Sequence, residues 1–207
     1  MSQHEASSLR VGVLALQGDY TLHIAMLHRL PGVSAAEVRT PGELNQVAAL
    51  VIPGGESTTL GMLMNRIGLD CAITERAQRG MPLYGTCAGM ILMARAIEGA
   101  PEQPTLNLLD IDVARNAFGR QLESFEAELP WTNAAGEPSH VHGVFIRAPW
   151  VTRTGEGVEV TSTYRGRVVG VRAGRMLATA FHPELTSVIR VHEEFVAMAR
   201  HAAGQTV

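Results

Sequence analysis

Short β-branched runs alternate with longer stretches of helical spacing through the first two thirds of the chain, and tight glycine turns separate them. Together these predict an α/β fold on a central, mostly parallel sheet. Helices are expected on both faces of that sheet, in three layers, with antiparallel strands added at its edge. Length and composition favour one domain, since 207 residues with 46% hydrophobic content suffice to fill a single core. The expected division is an N-terminal extension at residues 1–9 and one domain at residues 10–207.

Residues 10–16 (RVGVLAL) read as a buried strand. Residues 19–30 then place Leu22, Met26 and Leu30 on one helical face, with Asp19 as the cap and Pro31 and Gly32 as the stop. Residues 48–52 form a second core strand, cut off by Pro53, Gly54 and Gly55, and residues 57–67 space Leu60, Leu63, Met64 and Ile67 as a helix. The same grammar returns as a strand at 82–84, a turn at 85–89 and a helix at 90–97. Beyond the Gly- and Pro-containing stretch at 99–103, strand-like runs follow at 109–114, 141–146, 158–163, 168–172 and 176–180. These are expected as antiparallel additions to the sheet edge, with loops at 114–121 and 130–139 and a closing helix at 187–201.

Charge and cysteine usage exclude several function classes. A net charge of -3 offers no basic field for a nucleic-acid backbone. Two cysteines, Cys71 and Cys87, make no disulfide framework or zinc site, which suits a reducing, cytoplasmic setting. The first ten residues lack the basic start and apolar run of an export signal, and the apolar run at 11–16 is far too short to cross a bilayer. A soluble protein without membrane contact is expected.

The sharpest local feature is Gly85-Thr86-Cys87-Ala88-Gly89, a thiol bracketed by glycines between a strand and a helix. A nucleophile on such a turn needs small neighbours, and the following helix N-terminus favours a thiolate. The plainer reading, a small buried apolar cysteine, is kept for Cys71. A thiol nucleophile needs a base, and His182 in Phe181-His182-Pro183-Glu184 is the candidate. The proline biases its predecessor toward extended backbone, so Glu184 can orient and charge-stabilise the ring. The remaining histidines read as bland, His23 and His28 on the first helix and His192 and His201 on the last. His140 and His142 share a strand face, but two ligands without a third make a weak metal site, and no metal is expected. Acyl transfer also needs oxyanion donors. Pro53-Gly54-Gly55-Glu56-Ser57 supplies exposed amides before a helix, with Gly55 N–H and Ala88 N–H as the natural pair and Ser57 or Thr58 as a helix cap. The lack of GxxxxGK[ST] or GxGxxG argues against a nucleotide cradle.

Taken together, VLALQG (13–18), PGGESTT (53–59), GTCAG (85–89), RNAFGRQ (115–121), SFE (124–126), FIRAP (145–149) and FHPELT (181–186) resemble the class I, triad-type glutamine amidotransferases. Within them, LALQG, PGGESTT, RNAFGRQ and FIRAP are similar to the branch of glutaminase subunits of pyridoxal 5′-phosphate synthase. The resemblance implies hydrolysis of L-glutamine by Cys87, His182 and Glu184. It implies glutamine contacts at Gly55, Glu56, Ser57, Arg115, Ile146 and Arg147. Ammonia would pass to a separate (β/α)8 synthase subunit, this chain would need no cofactor of its own, and control by the synthase would act around Gln17. A guanidinium suits an α-carboxylate and Glu56 an α-ammonium, but the residues alone leave open which group meets which. The rival readings are an amidotransferase with another partner, such as the one feeding imidazole glycerol phosphate synthesis, a stand-alone thiol hydrolase, and a binding module whose triad is unused.

Overall fold

A computed structural model of the chain describes residues 8–115 and 124–205. Strand β1 (Leu9–Leu14) opens one residue inside the expected N-terminal extension, whose residues 1–7 lie outside the described residues. It is followed by α1 (Tyr20–His28), β2 (Val33–Val38), a short α2 (Pro41–Leu44), β3 (Ala49–Ile52), α3 (Ser57–Arg66) and α4 (Leu69–Gln78). Next come β4 (Leu83–Thr86), α5 (Ala88–Met93), β5 (Ala94–Glu98) and β6 (Leu109–Ala114). The second half runs β7 (Ser124–Thr132), β8 (Pro138–Ile146), β9 (Trp150–Thr154), β10 (Glu159–Tyr164), β11 (Arg167–Ala173) and β12 (Met176–Thr179). A 3-10 turn (Pro183–Leu185) and α6 (Arg190–Ala202) close it.

The predicted α/β class with a mostly parallel central sheet holds. Strand order is β2-β1-β3-β4-β12-β11-β9-β6-β5, with β10 branching from β11. Neighbours from β2 through β12 are all parallel, so β1, β3, β4 and β12 end on the same edge. Their runs are buried on both sides, as strands covered by two helix layers must be. Alternation along β4 shows both layers at once. Tyr84 packs edge-on against His23 of α1 and His192 of α6, whereas a Cβ on Gly85 would point at Gly89 and Met93 of α5.

Several boundaries differ from the sequence reading. The helix expected at 90–97 stops at Met93, and Ala94–Glu98 runs as a strand parallel to β6. Ala, Arg and Glu favour helix, but propensity is a small energy that pairing overrides: Arg95 reaches Asp112 of β6 through Nε and Nη2 at 3.0 and 2.6 Å. The antiparallel strands β9 and β11 lie inside the sheet, between β12 and the parallel β5–β6 pair, rather than at its rim. Residues 141–146 leave the main sheet altogether. They belong to β8, which pairs with β7 in a separate two-stranded sheet, so the loop expected at 130–139 is strand at both ends and shrinks to 133–137. Pro130 is tolerated there because a two-stranded ribbon has only free outer edges. The loop expected at 114–121 falls mostly outside the described residues. Strands β2 and β9 and the full extent of α4 carry no sequence signal strong enough to have been read. Asp19 flanks α1 without a side-chain cap, and α3 is capped by Glu56, not Ser57 or Thr58: its carboxylate accepts from Thr58 N–H at 3.2 Å and Thr59 N–H at 2.7 Å.

The β7–β8 ribbon is tied down at two ends. Phe125 stacks on Phe145 and on Tyr164 of β10, with centroids 4.5 and 5.0 Å apart. At the other end Trp131 Nε1–H donates to Glu194 Oε2 of α6 at 2.7 Å, and Arg172 of β11 donates to Glu194 Oε1 at 2.6 Å. Among the described residues, no helix is long and apolar enough to cross a membrane.

Candidate active site

Loops leaving a parallel sheet at the carboxyl ends of its strands meet in a crevice. Here the four such loops are those after β1, β3, β4 and β12, and they deliver Gln17, then Gly55, Glu56 and Ser57, then Cys87, then His182. With Arg115 from the end of β6 and Ile146 and Arg147 from the end of β8, these residues line one cavity of about 380 Å³. That volume falls within the range of small-molecule sites. Glu184 and Ala88 do not line it. Glu184 lies buried behind His182, and Ala88 follows Cys87 as the buried first residue of α5.

Cys87 sits on a strained elbow, with φ 47° and ψ −99°. That is a left-handed conformation costly for a residue with a Cβ, and held only where the surroundings force it. The glycines on either side permit it: a Cβ on Gly89 would lie 2.1 Å from Ile52 O and one on Gly85 2.6 Å from the Gly89 carbonyl carbon. Cys87 N–H donates to Thr179 O of β12 at 2.8 Å, which pins the elbow to the strand that leads to His182. The thiol itself points toward Ile146 O, 3.9 Å away.

His182 Nδ1–H donates to Glu184 Oε1 at 2.7 Å, which leaves Nε2 for the Cys87 side. Burial alone would lower the ring's pKa. Hydrogen bonds to Cys87 and Glu184 and their charges outweigh it and raise it to about 10. Burial would likewise raise the Glu184 carboxyl, but His23 and His182 hold it well below the usual carboxylate range. His182 N–H is anchored on Val144 O of β8 at 2.8 Å, so the ribbon supports both halves of the Cys-His pair through main-chain carbonyls.

On the other wall, Glu56 N–H donates to Gln17 Oε1 at 3.0 Å, and a Cβ on Gly55 would meet that same oxygen. Arg115 Nη1 bonds Gln103 Oε1 and lies 3.4 Å from Thr58 Oγ1, while its Nη2 is 3.5 Å from Glu56 Oε1. Gln103 Nε2 donates to Ser57 Oγ at 3.0 Å, tying Arg115 to the start of α3. Sequence reasoning missed Gln103, which stands in a stretch that reads as linker and carries no motif. It also misjudged His23 and His192, both fully buried. His142, expected beside His140, is bracketed by Glu128 Oε1 at 2.6 Å and Glu126 Oε2 at 2.8 Å. Among the described residues, no three or more His, Cys, Asp or Glu side chains stand as a metal-holding group. Cys71, expected to be buried, is instead exposed on the solvent side of α4, away from the cavity.

Known proteins similar in sequence to this chain fall in one family. A sequence model of the SNO glutamine amidotransferase family matches residues 13–201. Among curated relatives, the pyridoxal 5′-phosphate synthase subunit PdxT of Acidothermus cellulolyticus is 54% identical over 195 residues, covering 91% of this chain and 93% of that protein. The PdxT of Mycobacteroides abscessus is 52% identical over 191 residues, covering 92% and 97%. A solved structure described as a glutamine amidotransferase superposes with a TM-score of 0.85 at 49% identity, covering 91% of this chain and 98% of its own. PurLQS from Thermotoga maritima, at 16% identity and a TM-score of 0.68, shares the fold. With the match running through almost every described element, the chain belongs to the SNO glutamine amidotransferase family.

Proposed function

We propose that the chain is the glutaminase subunit of a pyridoxal 5′-phosphate synthase and hydrolyses L-glutamine to L-glutamate and ammonia through Cys87, His182 and Glu184. The observation that carries this is that His182, held from behind by its 2.7 Å hydrogen bond to Glu184, lines one cavity with a strained Cys87. Residues 10–207 are taken as the single amidotransferase domain.

In this reading the Cys87 thiolate attacks the side-chain amide carbon, forming a carbon–sulfur bond and pushing the carbonyl electrons onto oxygen. Gly55 N–H and Ala88 N–H receive that oxyanion. His182, protonated beside the thiolate, gives its Nε2 proton to the departing nitrogen, and ammonia leaves as the thioester forms. Water then attacks the thioester with His182 as base, glutamate departs, and the thiolate and imidazolium are restored. Glu184 keeps the ring oriented and favours its charged form throughout. Arg115 or Arg147 holds the α-carboxylate and Glu56 the α-ammonium, with Ser57 and Ile146 shaping the walls. Gln17, whose carboxamide bonds the turn carrying Gly55, is the regulatory contact that docking of the synthase subunit changes. Ammonia passes to that subunit. The chemistry requires only side chains and main-chain amides.

The test is glutamate release from glutamine by the purified chain, alone and with an equal amount of the synthase subunit from the same source. A low rate that rises sharply with the synthase supports both the chemistry and the partner. An equally fast rate in both contradicts the partner, and no rate in either contradicts the glutaminase.

A further inference from the structure

Behind Glu184 the polar contacts do not end. His23 Nε2 lies 3.3 Å from Glu184 Oε1, the same oxygen that His182 uses, and 3.2 Å from Thr86 Oγ1. His23 Nδ1 lies 3.0 Å from His192 Nε2. Both imidazoles are fully buried, on two helices separated by 169 positions in sequence. Burying two histidines against a carboxylate is costly unless their protons are placed, and a helix face of this kind would pack better with Leu or Phe. A purely structural pair has no reason to aim a ring nitrogen at the oxygen that holds His182.

The unpartnered atoms fix where the protons sit. His192 Nδ1 has no hydrogen-bond partner among the described residues. A bare lone pair there is tolerated more easily than a bare N–H, so the His192 proton belongs on Nε2 and points at His23 Nδ1. Burial lowers the His192 pKa to about 3, so the ring is neutral and carries only this one proton. His23 Nδ1 then accepts, which leaves the His23 proton on Nε2, between Thr86 Oγ1 at 3.2 Å and Glu184 Oε1 at 3.3 Å; the Thr86 hydroxyl can rotate its own hydrogen away, so the proton reaches toward the carboxylate as well. Glu184 Oε2 has no partner among the described residues, so both donors converge on Oε1 and define the carboxylate's orientation.

We infer that His23 is a positioning residue of the triad, its tautomer set by His192, that shares Glu184 Oε1 with His182 and so fixes the carboxylate and moderates its hold on the His182 proton. The inference rests on the triad reading above and extends it by two residues. The groups facing this carboxylate are His182 on its own segment, His23 from α1, Thr86 and Tyr84 from β4 and His192 from α6, with Cys87 beyond His182. Arg29 and Glu194 are charges felt from further off, by His192 and Tyr84. Tyr84 is no competitor, since burial and then the Glu184 charge push its hydroxyl well above the ordinary phenol range, and it bonds Thr179 Oγ1 at 3.1 Å.

The experiment measures glutamine hydrolysis against pH for the chain with its synthase subunit, comparing the unaltered chain with His23→Leu, His23→Gln and Cys87→Ala. A glutamine side chain can place an N–H where His23 Nε2 stands, and leucine cannot. His23→Leu is expected to lower kcat roughly ten- to hundredfold with KM little changed. It should also move the alkaline limb of the kcat/KM profile to higher pH, because Oε1 then serves His182 alone. His23→Gln should restore most of both. A destabilising effect alone would scale the amount of active protein and leave the limb where it is. An unmoved limb, or equal effects of Leu and Gln, overturns the inference. Retained hydrolysis in Cys87→Ala overturns the triad reading itself, and loss there with an unaffected His23→Leu overturns only this extension. Should His23→Leu not fold, nitrogen-15 histidine spectra of the unaltered chain decide: a proton on His23 Nε2 and a bare Nδ1 support the assignment, and the opposite tautomer refutes it.

Discussion

Two regions meet at the cavity and contribute in different ways. The parallel strands β1, β3, β4 and β12 present side chains, Gln17, Cys87 and His182 among them, from loops fixed at one edge of a sheet buried on both sides. The β7–β8 ribbon presents chiefly main chain to the same pair, with Val144 O holding the His182 backbone and Ile146 O facing the Cys87 thiol. The first region needs particular residue types at each position, whereas the second needs only a strand in the right place. Ile146 and Arg147 are where the ribbon departs from this, both lining the cavity, with the Arg147 backbone at φ 44°.

The largest separation of the two regions is expected from Cys87→Ala in the parallel half. It should reduce glutamate release in the presence of the synthase subunit on the order of 10³-fold or more, with melting temperature and docking unchanged, because it removes the nucleophile and little volume. Next comes the elbow's support. Gly89→Ala places a Cβ against the Ile52 carbonyl, a backbone atom that cannot step aside, and chemical denaturation should show a loss of about 2–3 kcal/mol. A melting curve unchanged from that of the unaltered chain would contradict the packing described for β3 and α5.

Arg115→Ala should act on binding more than on chemistry. If Arg115 rather than Arg147 holds the α-carboxylate, losing that charge-assisted contact raises KM roughly ten- to hundredfold with kcat less affected, and Arg115→Lys should restore little because a point charge does not reproduce the fork. A fall in kcat at constant KM would place Arg115 elsewhere in the scheme. The smallest effect belongs to the ribbon. Hydrogen bonds to Glu128 and then Glu126 raise the His142 pKa from its ordinary 6.5. The raised folded-state value means the contribution is fully present below about 6.5 and is lost as pH rises through the folded pKa. Amide exchange in β7 and β8 should therefore speed up on the alkaline side, in the ribbon alone, and His142→Gln should remove that pH dependence. Because both carboxylates are largely exposed and His142 partly so, outside the cavity that holds Cys87, hydrolysis itself should change little.

The same contrast explains what was legible in the sequence. The glycine-bracketed thiol and the His-Pro-Glu segment announce themselves because strained or charged positions tolerate few residue types. The parallel half could be read from its strand, turn and helix grammar. The ribbon's role could not be read, since every residue carries a carbonyl and nothing in Val144 or Ile146 signals which one will face a thiol. Strand β5 was misread because Ala94, Arg95 and Glu98 suit a helix, and only pairing with distant β6 decides otherwise. Gln103 and His23 show a third case. Each is an unremarkable residue until the fold brings it to Ser57 and Arg115, or to Glu184.

The central claim is that the parallel half assembles its nucleophile at Cys87 for a glutamine side chain. The most direct test uses a glutamine analogue in which a diazoketone replaces the carboxamide, incubated with the chain and its synthase subunit and followed by peptide mass analysis. The account predicts one covalent adduct, on Cys87, formed in step with the loss of glutamate release and prevented by excess glutamine. Inactivation without label on Cys87, or with the label on Cys71, would contradict it.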